Sequence, residues 1–174
     1  METGQFQVYT GDGKGKTTAA LGLALRASGA GLRVYIGQFM KRGAFSEIAS
    51  LRRLPDITVE QYGSERGLLI GRAAAAEDMD CARTGFEHLK AALTSGKYEV
   101  VIADEINCTL AFGLLNEADL LLLIDSRPEC VELVFTGRGA REAILNRADL
   151  ITEMRPVRHY YRDKRLPARK GIEM

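Results

Sequence analysis

Thr10-Gly-Asp-Gly-Lys-Gly-Lys-Thr-Thr18 decides the reading of this chain. It follows a short apolar run at 6–9 and leads into Ala19-Ala-Leu-Gly-Leu-Ala-Leu-Arg26, which reads as a helix. A strand, a glycine-rich turn and a helix N-terminus in that order form an anion cradle. Backbone N–H groups converge where the helix dipole is positive, and Lys16 adds a full charge for the β- and γ-phosphates. Thr17 follows the lysine, where a hydroxyl can ligate Mg²⁺. The match to G-x-x-x-x-G-K-[ST] departs at its first position, where Thr10 stands in place of glycine; the glycines fall at 11, 13 and 15. The competing reading is a tight βα turn with a solvated lysine. Gly-Lys-Thr-Thr at a strand-to-helix junction favours a nucleoside triphosphate site.

Working outward, apolar runs at 33–39, 57–62, 98–104 and 131–136, with a short one at 150–152, read as further strands. Helical spacing is expected at 44–54, ended by Pro55, and at 73–95, where Met79, Ala82, Phe86, Leu89 and Leu93 share a face. Shorter helices are expected at 106–115, 117–125 and 140–147. The first helix is apolar on nearly every face, which predicts burial between the sheet and another layer. Residues 62–72, with their glycines and mixed charge, read as an exposed loop, and His88 reads as a surface histidine beside the helix stripe. Strands alternating with helices imply an α/β fold, a mostly parallel, doubly wound sheet covered on both faces. At 174 residues the chain reads as one domain over 1–174, with 155–174 as a basic tail or flap.

Composition narrows the partners. Lys+Arg of 24 against Asp+Glu of 23 leaves a net charge of +1, which gives no global field to recruit nucleic acid or an anionic membrane. No apolar run is long enough to span a bilayer, and the first strand begins almost at once, so no signal peptide and a cytoplasmic location are expected. Cys81, Cys108 and Cys130 are odd in number and widely spaced, which argues against a disulfide framework or a structural zinc site.

In such sheets ligands bind beyond the carboxyl ends of the strands. Asp104-Glu105 closes the strand Val100-Val-Ile-Ala103 and resembles a Walker B element; a carboxylate there can hold Mg²⁺ directly or through water. Acids at a strand end are otherwise polar boundary residues, and the phosphate loop favours the metal role. Thr136-Gly-Arg-Gly-Ala140 lets backbone approach a ligand, and the Arg138 guanidinium suits phosphate oxygens; alone it is equally a turn with a solvated arginine. The tail at 155–170 carries seven basic residues against one acid, interleaved with His159, Tyr160 and Tyr161. It reads as a solvated tail, a nucleic-acid contact or a flap over an anionic ligand. No G-x-S-x-G elbow, His/Cys metal spacing or partnered cysteine is present, so an enzyme built on this chain takes its nucleophile from the substrate.

Taken together, these motifs resemble the ATP:corrinoid adenosyltransferase family. The matching stretches are Tyr9-Thr-Gly-Asp-Gly-Lys-Gly-Lys-Thr-Thr-Ala19, Gln38-Phe-Met-Lys41, Val100-Val-Ile-Ala-Asp-Glu-Ile-Asn107 and Leu133-Val-Phe-Thr-Gly-Arg-Gly-Ala140. Ala148-Asp-Leu-Ile-Thr-Glu-Met154, Arg158-His159 and Gly171-Ile-Glu173 complete the set, in the family's order over almost the whole chain. The resemblance implies a RecA-like P-loop fold. It also implies transfer of the 5′-deoxyadenosyl group of ATP to the cobalt(I) of a reduced corrinoid, with ATP reversed in the loop and triphosphate released intact.

By position, Gly11, Asp12, Gly13, Lys14, Gly15, Lys16, Thr17 and Thr18 would hold the triphosphate. Thr17 and Glu105 would hold Mg²⁺ (or Mn²⁺), with Asp104 assisting from behind. Arg138 would reach phosphate or ribose, and Arg26 corresponds to an arginine near the nucleotide. The family also implies a homodimer, a cobalamin, cobinamide or cobyrinic acid diamide substrate, and a flavoprotein reductant. Two departures stand out. Members often carry Gly-Phe-Thr-Trp where this chain has Gly67-Leu-Leu-Ile70, and many carry a long N-terminal segment where five residues precede the first strand here. The 68–70 segment is expected to order over the corrinoid, and Phe39, Phe45, Tyr62, Leu68 and Phe112 are candidates for the corrinoid face. Ordinary core packing explains those residues equally well. A RecA-like ATPase, a nucleoside kinase of the thymidine type and a non-catalytic nucleotide or corrinoid sensor are the competing functions.

Overall fold

Each apolar run alternates its side chains between two faces, and the two faces nucleate two separate cores. In the computed structural model, which describes residues 2–67 and 72–173, the elements run β1 (Phe6–Thr10), α1 (Lys16–Gly29), β2 (Val34–Phe39), α2 (Ser46–Leu51), β3 (Ile57–Tyr62), α3 (Ala76–Thr94) and β4 (Val100–Asp104). They continue with α4 (Ile106–Ala111), α5 (Glu117–Asp125), β5 (Glu132–Thr136), α6 (Glu142–Leu145), β6 (Leu150–Glu153) and α7 (Tyr160–Lys164). The strands form one sheet in the order β3-β2-β4-β5-β1-β6, with every described pairing parallel. The expected α/β architecture is present, and the sheet is wholly rather than mostly parallel.

On one face Val34, Ile36, Val100, Ile102 and Val134 pack with Ala20, Ala24 and Ala27 of α1 and with Ile48 and Leu51 of α2. On the other, Phe6, Val8, Val101, Leu133 and Phe135 meet α3, α4, α5 and α6 through Phe86, Leu89, Ile106, Leu120 and Ile144. The central strands β2 and β4 are buried on both sides, as parallel strands under two helical layers must be. β6 lies at the sheet edge with all four residues exposed. Because all strands are parallel, the carboxyl ends of β1, β2, β4, β5 and β6 share one rim, and the loops that follow them converge there.

Three expectations need correction. α1 is not buried all round: its alanine stripe, flanked by the partly buried Leu21 and Leu23, packs on the sheet, and Leu25 is 58% exposed, because no further layer among the described residues covers its outer side. α2, α3, α4 and α6 are shorter than their apolar periodicity suggests, since amphipathic spacing runs into the flanking turns. Of the three readings of the tail, the solvated one does not hold: the tail contains α7 and docks on the loop after β1, as described below. His88 is half-exposed and bonds Glu60 and the Tyr62 hydroxyl at 3.2 Å each, which agrees with a structural surface histidine.

Candidate functional site

The loop after β1 turns on glycines in backbone conformations that other residues resist. Gly11 has φ 92°, and a Cβ there would lie 2.5 Å from the Met154 carbonyl oxygen. Gly15 has φ 119° and sits at the N-terminus of α1. The chain after β6 closes over the loop, with the Gly13 N–H donating to the Met154 carbonyl at 2.6 Å. Lys16 is buried, 6% exposed, and its ammonium donates to the carbonyls of Gly11 (2.6 Å) and Gly13 (2.7 Å). Burial pushes its pKa down, the Glu105 carboxylate partly opposing. An anion in the cradle would reverse that shift by supplying the missing counter-charge.

Asp104 is fully buried at the end of β4 and is the hub of the site. Its Oδ1 accepts from the hydroxyls of Thr17 (2.8 Å) and Thr136 (2.7 Å). Its Oδ2 accepts from Gln38 Nε2 (3.1 Å) and Lys41 Nζ (2.8 Å). Lys41 also donates to Thr17 Oγ1 at 3.2 Å. Burial alone would depress the Lys41 ammonium, but Asp104 outweighs it and holds the pKa above the ordinary lysine value. Glu105 stands beside this hub in the left-handed region, φ 62°. Its N–H donates to Thr136 Oγ1 at 2.8 Å and its carboxylate accepts from Cys108 Sγ at 2.9 Å. Met40, just before Lys41, is also left-handed at φ 59°. Two non-glycine residues in this region each cost about 1 kcal/mol or more, and they lie at the ends of adjacent strands, where they turn Lys41 and Glu105 out of the strand direction.

The structure thus brings together Gly11, Gly13, Gly15, Lys16, Thr17, Asp104 and, next to Asp104, Glu105. Asp12 acts on Lys16 only through its charge. Thr18 is exposed at the start of α1. Arg138 is exposed, its N–H donating to Cys108 Sγ at 3.3 Å, and its charge is felt at Lys16. Lys14 points away from the loop, donating to Tyr160 Oη (3.0 Å), the Ile172 carbonyl (3.2 Å) and Glu173 Oε1 (2.9 Å). Arg26 is not brought to the cradle: it lies in the last turn of α1, about 15 Å along the axis from Lys16 at 1.5 Å per residue, where its charge acts on Tyr9. Phe39 is fully buried and its ring lies 5.7 Å from that of Tyr62, while the partly buried Phe45 packs against the α1-side core, so core packing accounts for the placement of all three. Phe112 is 39% exposed. Leu68 and the rest of the 68–70 segment lie outside the described residues.

A divalent cation fits this donor set. The Thr17 hydroxyl and the Asp104 and Glu105 carboxylates are hard oxygen donors, and one or two carboxylates completed by substrate phosphates is how Mg²⁺ is ordinarily held. Among the described residues no group of three or more His, Cys, Asp or Glu forms an all-protein metal cage. The only thiol at the site is no nucleophile: burial, then the Glu105 carboxylate, push Cys108 up to about 12.

Several site residues escaped assignment from the sequence. Gln38 and Lys41 lie in a stretch that resembles the family, yet nothing in their spacing reveals a bond to an acid 63 residues away. Thr136 looked like the start of a turn and is the hydroxyl that joins Asp104 to Glu105. Tyr160 and Glu173 sat in a tail with several readings.

Comparison with known proteins follows the same lines. Residues 2–174 match the family described as ATP:corrinoid adenosyltransferase BtuR/CobO/CobP. The chain is similar to the corrinoid adenosyltransferase of Escherichia coli K12, 33% identical over 99% of this chain and 86% of that protein. It is similar to that of Pseudomonas aeruginosa, 33% identical over 99% of this chain and 84% of that protein. An uncharacterised Nostoc protein is 38% identical over 90% of this chain, which spans only 45% of that relative's length. No helix among the described residues is long and apolar enough to cross a membrane.

Proposed function

The chain belongs to the ATP:corrinoid adenosyltransferase family, and from this we propose that it moves the 5′-deoxyadenosyl group of ATP onto the cobalt(I) of a reduced corrinoid. In that reaction a cobalt(I) electron pair forms the bond to the ribose 5′ carbon. The C5′–O bond breaks, and its pair leaves on the triphosphate. The observation that carries this reading is a site rich in donors and cations for a leaving anion and lacking a nucleophile of its own. Lys16, the α1 N-terminus and Arg138 surround the loop, and the one thiol stays protonated. The chain's residues accordingly contribute position and charge. Lys16 and the loop N–H groups bind the triphosphate and stabilise the charge that grows on it as the bond breaks.

Mg²⁺ (or Mn²⁺) held between Thr17 and Glu105 would neutralise further phosphate charge. Asp104 accepts the Thr17 hydroxyl proton, so that oxygen has only lone pairs to offer, one of them engaged by Lys41; this supports a role for Asp104 behind Thr17. We read the working enzyme as a cytoplasmic homodimer served by a flavoprotein reductant, with a cobalamin, cobinamide or cobyrinic acid diamide as acceptor. The activity is tested anaerobically in the dark with ATP, Mg²⁺ and chemically reduced corrinoid. A light-sensitive cobalt–carbon product supports the proposal, and ATP consumed without it rejects the proposal.

A further inference from the structure

Asp104 has no acceptor capacity to spare. A carboxylate offers about four lone-pair sites, and four donors of this chain already occupy them: Thr17, Thr136, Gln38 and Lys41. Thr17 Oγ1 gives its proton to Asp104 and accepts from Lys41. The Lys41 ammonium therefore stands against the same hydroxyl oxygen and the same acid that would flank a divalent cation. Its side chain is 15% exposed and that of Asp104 is fully buried, so little water screens the pair. The position is also built. Left-handed Met40 turns the chain at the end of β2, and the Lys41 backbone is pressed on Gly63, where a Cβ would lie 2.7 Å from its carbonyl carbon.

We propose that Lys41 is the resident cation of the metal site: it holds Asp104 and Thr17 in the nucleotide-free protein, excludes divalent metal arriving alone, and yields its place when the metal arrives with triphosphate. The inference rests on the reading of Thr17 and its carboxylates as the metal site. Two cations cannot share the Thr17 oxygen at about 3 Å without strong repulsion. Entering metal must therefore bring negative charge with it, and the triphosphate supplies both that charge and a new partner for the displaced ammonium. Binding then becomes ordered by electrostatics: nucleotide and metal enter together, and metal alone is refused. Lys41 is a positioning residue in this account, acting through Asp104 and Thr17.

Mn²⁺ binding followed by electron paramagnetic resonance, without nucleotide, tests the proposal independently of turnover. The wild-type protein should bind Mn²⁺ weakly, and K41M should bind it at least about tenfold more tightly, since a neighbouring unit charge is gone. Adding D104N to K41M should abolish the gain. Metal-free K41M should also melt below the wild type, because Asp104 is left buried without its counter-charge. Mn²⁺ alone should restore its melting temperature while leaving the wild type unmoved. If K41M does not fold, K41Q, which keeps an amide donor for Asp104 without the charge, is measured in the same way. Equal Mn²⁺ affinity in wild type and variant, or a gain that survives D104N, overturns the proposal. Failure of the underlying site reading shows differently: T17V would then bind Mn²⁺-ATP as tightly as the wild type, and that result overturns both.

Discussion

Lys16 is the buried charge that the proposed function assigns to the triphosphate. It is buried, donates to two loop carbonyls, and pays for that burial with a lowered pKa. Lys16→Ala should weaken ATP binding and slow adenosyl transfer by roughly 10²–10³-fold, the range for removing one preorganised donor from a developing anion. Isothermal titration with ATP and a transfer assay on a variant with an unchanged circular dichroism spectrum check it; wild-type affinity and rate would remove Lys16 from the cradle. Glu105 carries a different expectation. Among the described residues its carboxylate forms no ion pair and accepts only from the Cys108 thiol. Glu105→Gln should therefore leave the melting temperature nearly unchanged while turnover requires several-fold more Mg²⁺. A Mg²⁺ titration that superimposes on the wild type would assign the metal to other ligands. At this scale the sequence was legible for placement: the motif spacing puts Lys16, Thr17 and Asp104 on one rim, and there the Thr17 hydroxyl meets Asp104. It was not legible for Thr136 and Lys41, whose roles arise from contacts 32 and 63 residues distant in the chain.

Among the elements, the segment after β6 most exceeds what patterning could reveal. Glu173 accepts from Lys14 of the loop after β1, from Arg169 and from the Tyr160 hydroxyl, and both cations also approach the Tyr160 ring, at 5.7 and 5.2 Å from its centroid. The strap therefore fastens the chain's last residues to the loop that begins near its tenth. Charge counting sees only a basic tail and does not separate a solvated, a nucleic-acid-binding and a flap reading, because the acid that organises it is a single residue 159 positions from its partner. The Arg169 guanidinium, then Tyr160 and Lys14, hold the Glu173 carboxyl well below the ordinary glutamate range. A depressed folded pKa stabilises docking fully above the unfolded value near 4.3 and loses that contribution as pH falls through the folded value. The strap should thus stay docked at neutral pH and at pH 4, and release only in stronger acid. Hydrogen–deuterium exchange of 160–173 should show protection at pH 4 close to that at pH 7. In Glu173→Gln, exchange should be faster at both pH values and ATP affinity several-fold weaker. A tail that exchanges freely in the wild type at pH 7 would contradict the strap.

For the molecule as a whole, the alternation of strand and helix foretold six strands and their parallel arrangement, because each hydrophobic run was bounded by clear turn residues. The order β3-β2-β4-β5-β1-β6 was not legible, since neighbour choice in a parallel sheet depends on long crossovers rather than on local pattern. That order places β4 and β5 between β2 and β1, and so gathers Lys41, Asp104, Thr136 and the phosphate loop on one rim. The architecture serves a reaction in which the protein supplies charge and geometry and the acceptor supplies electrons. The most direct test counts products at early times under anaerobic dark conditions, with ATP, Mg²⁺ and chemically reduced corrinoid. Attack at the ribose carbon predicts one inorganic triphosphate for each light-sensitive adenosylated corrinoid, with no ADP and no ATP loss when corrinoid is withheld. ADP and phosphate formed without corrinoid, a γ-phosphoryl group passed to a nucleoside, or ATP left whole would contradict the account and point respectively to an ATPase, a kinase or a sensor.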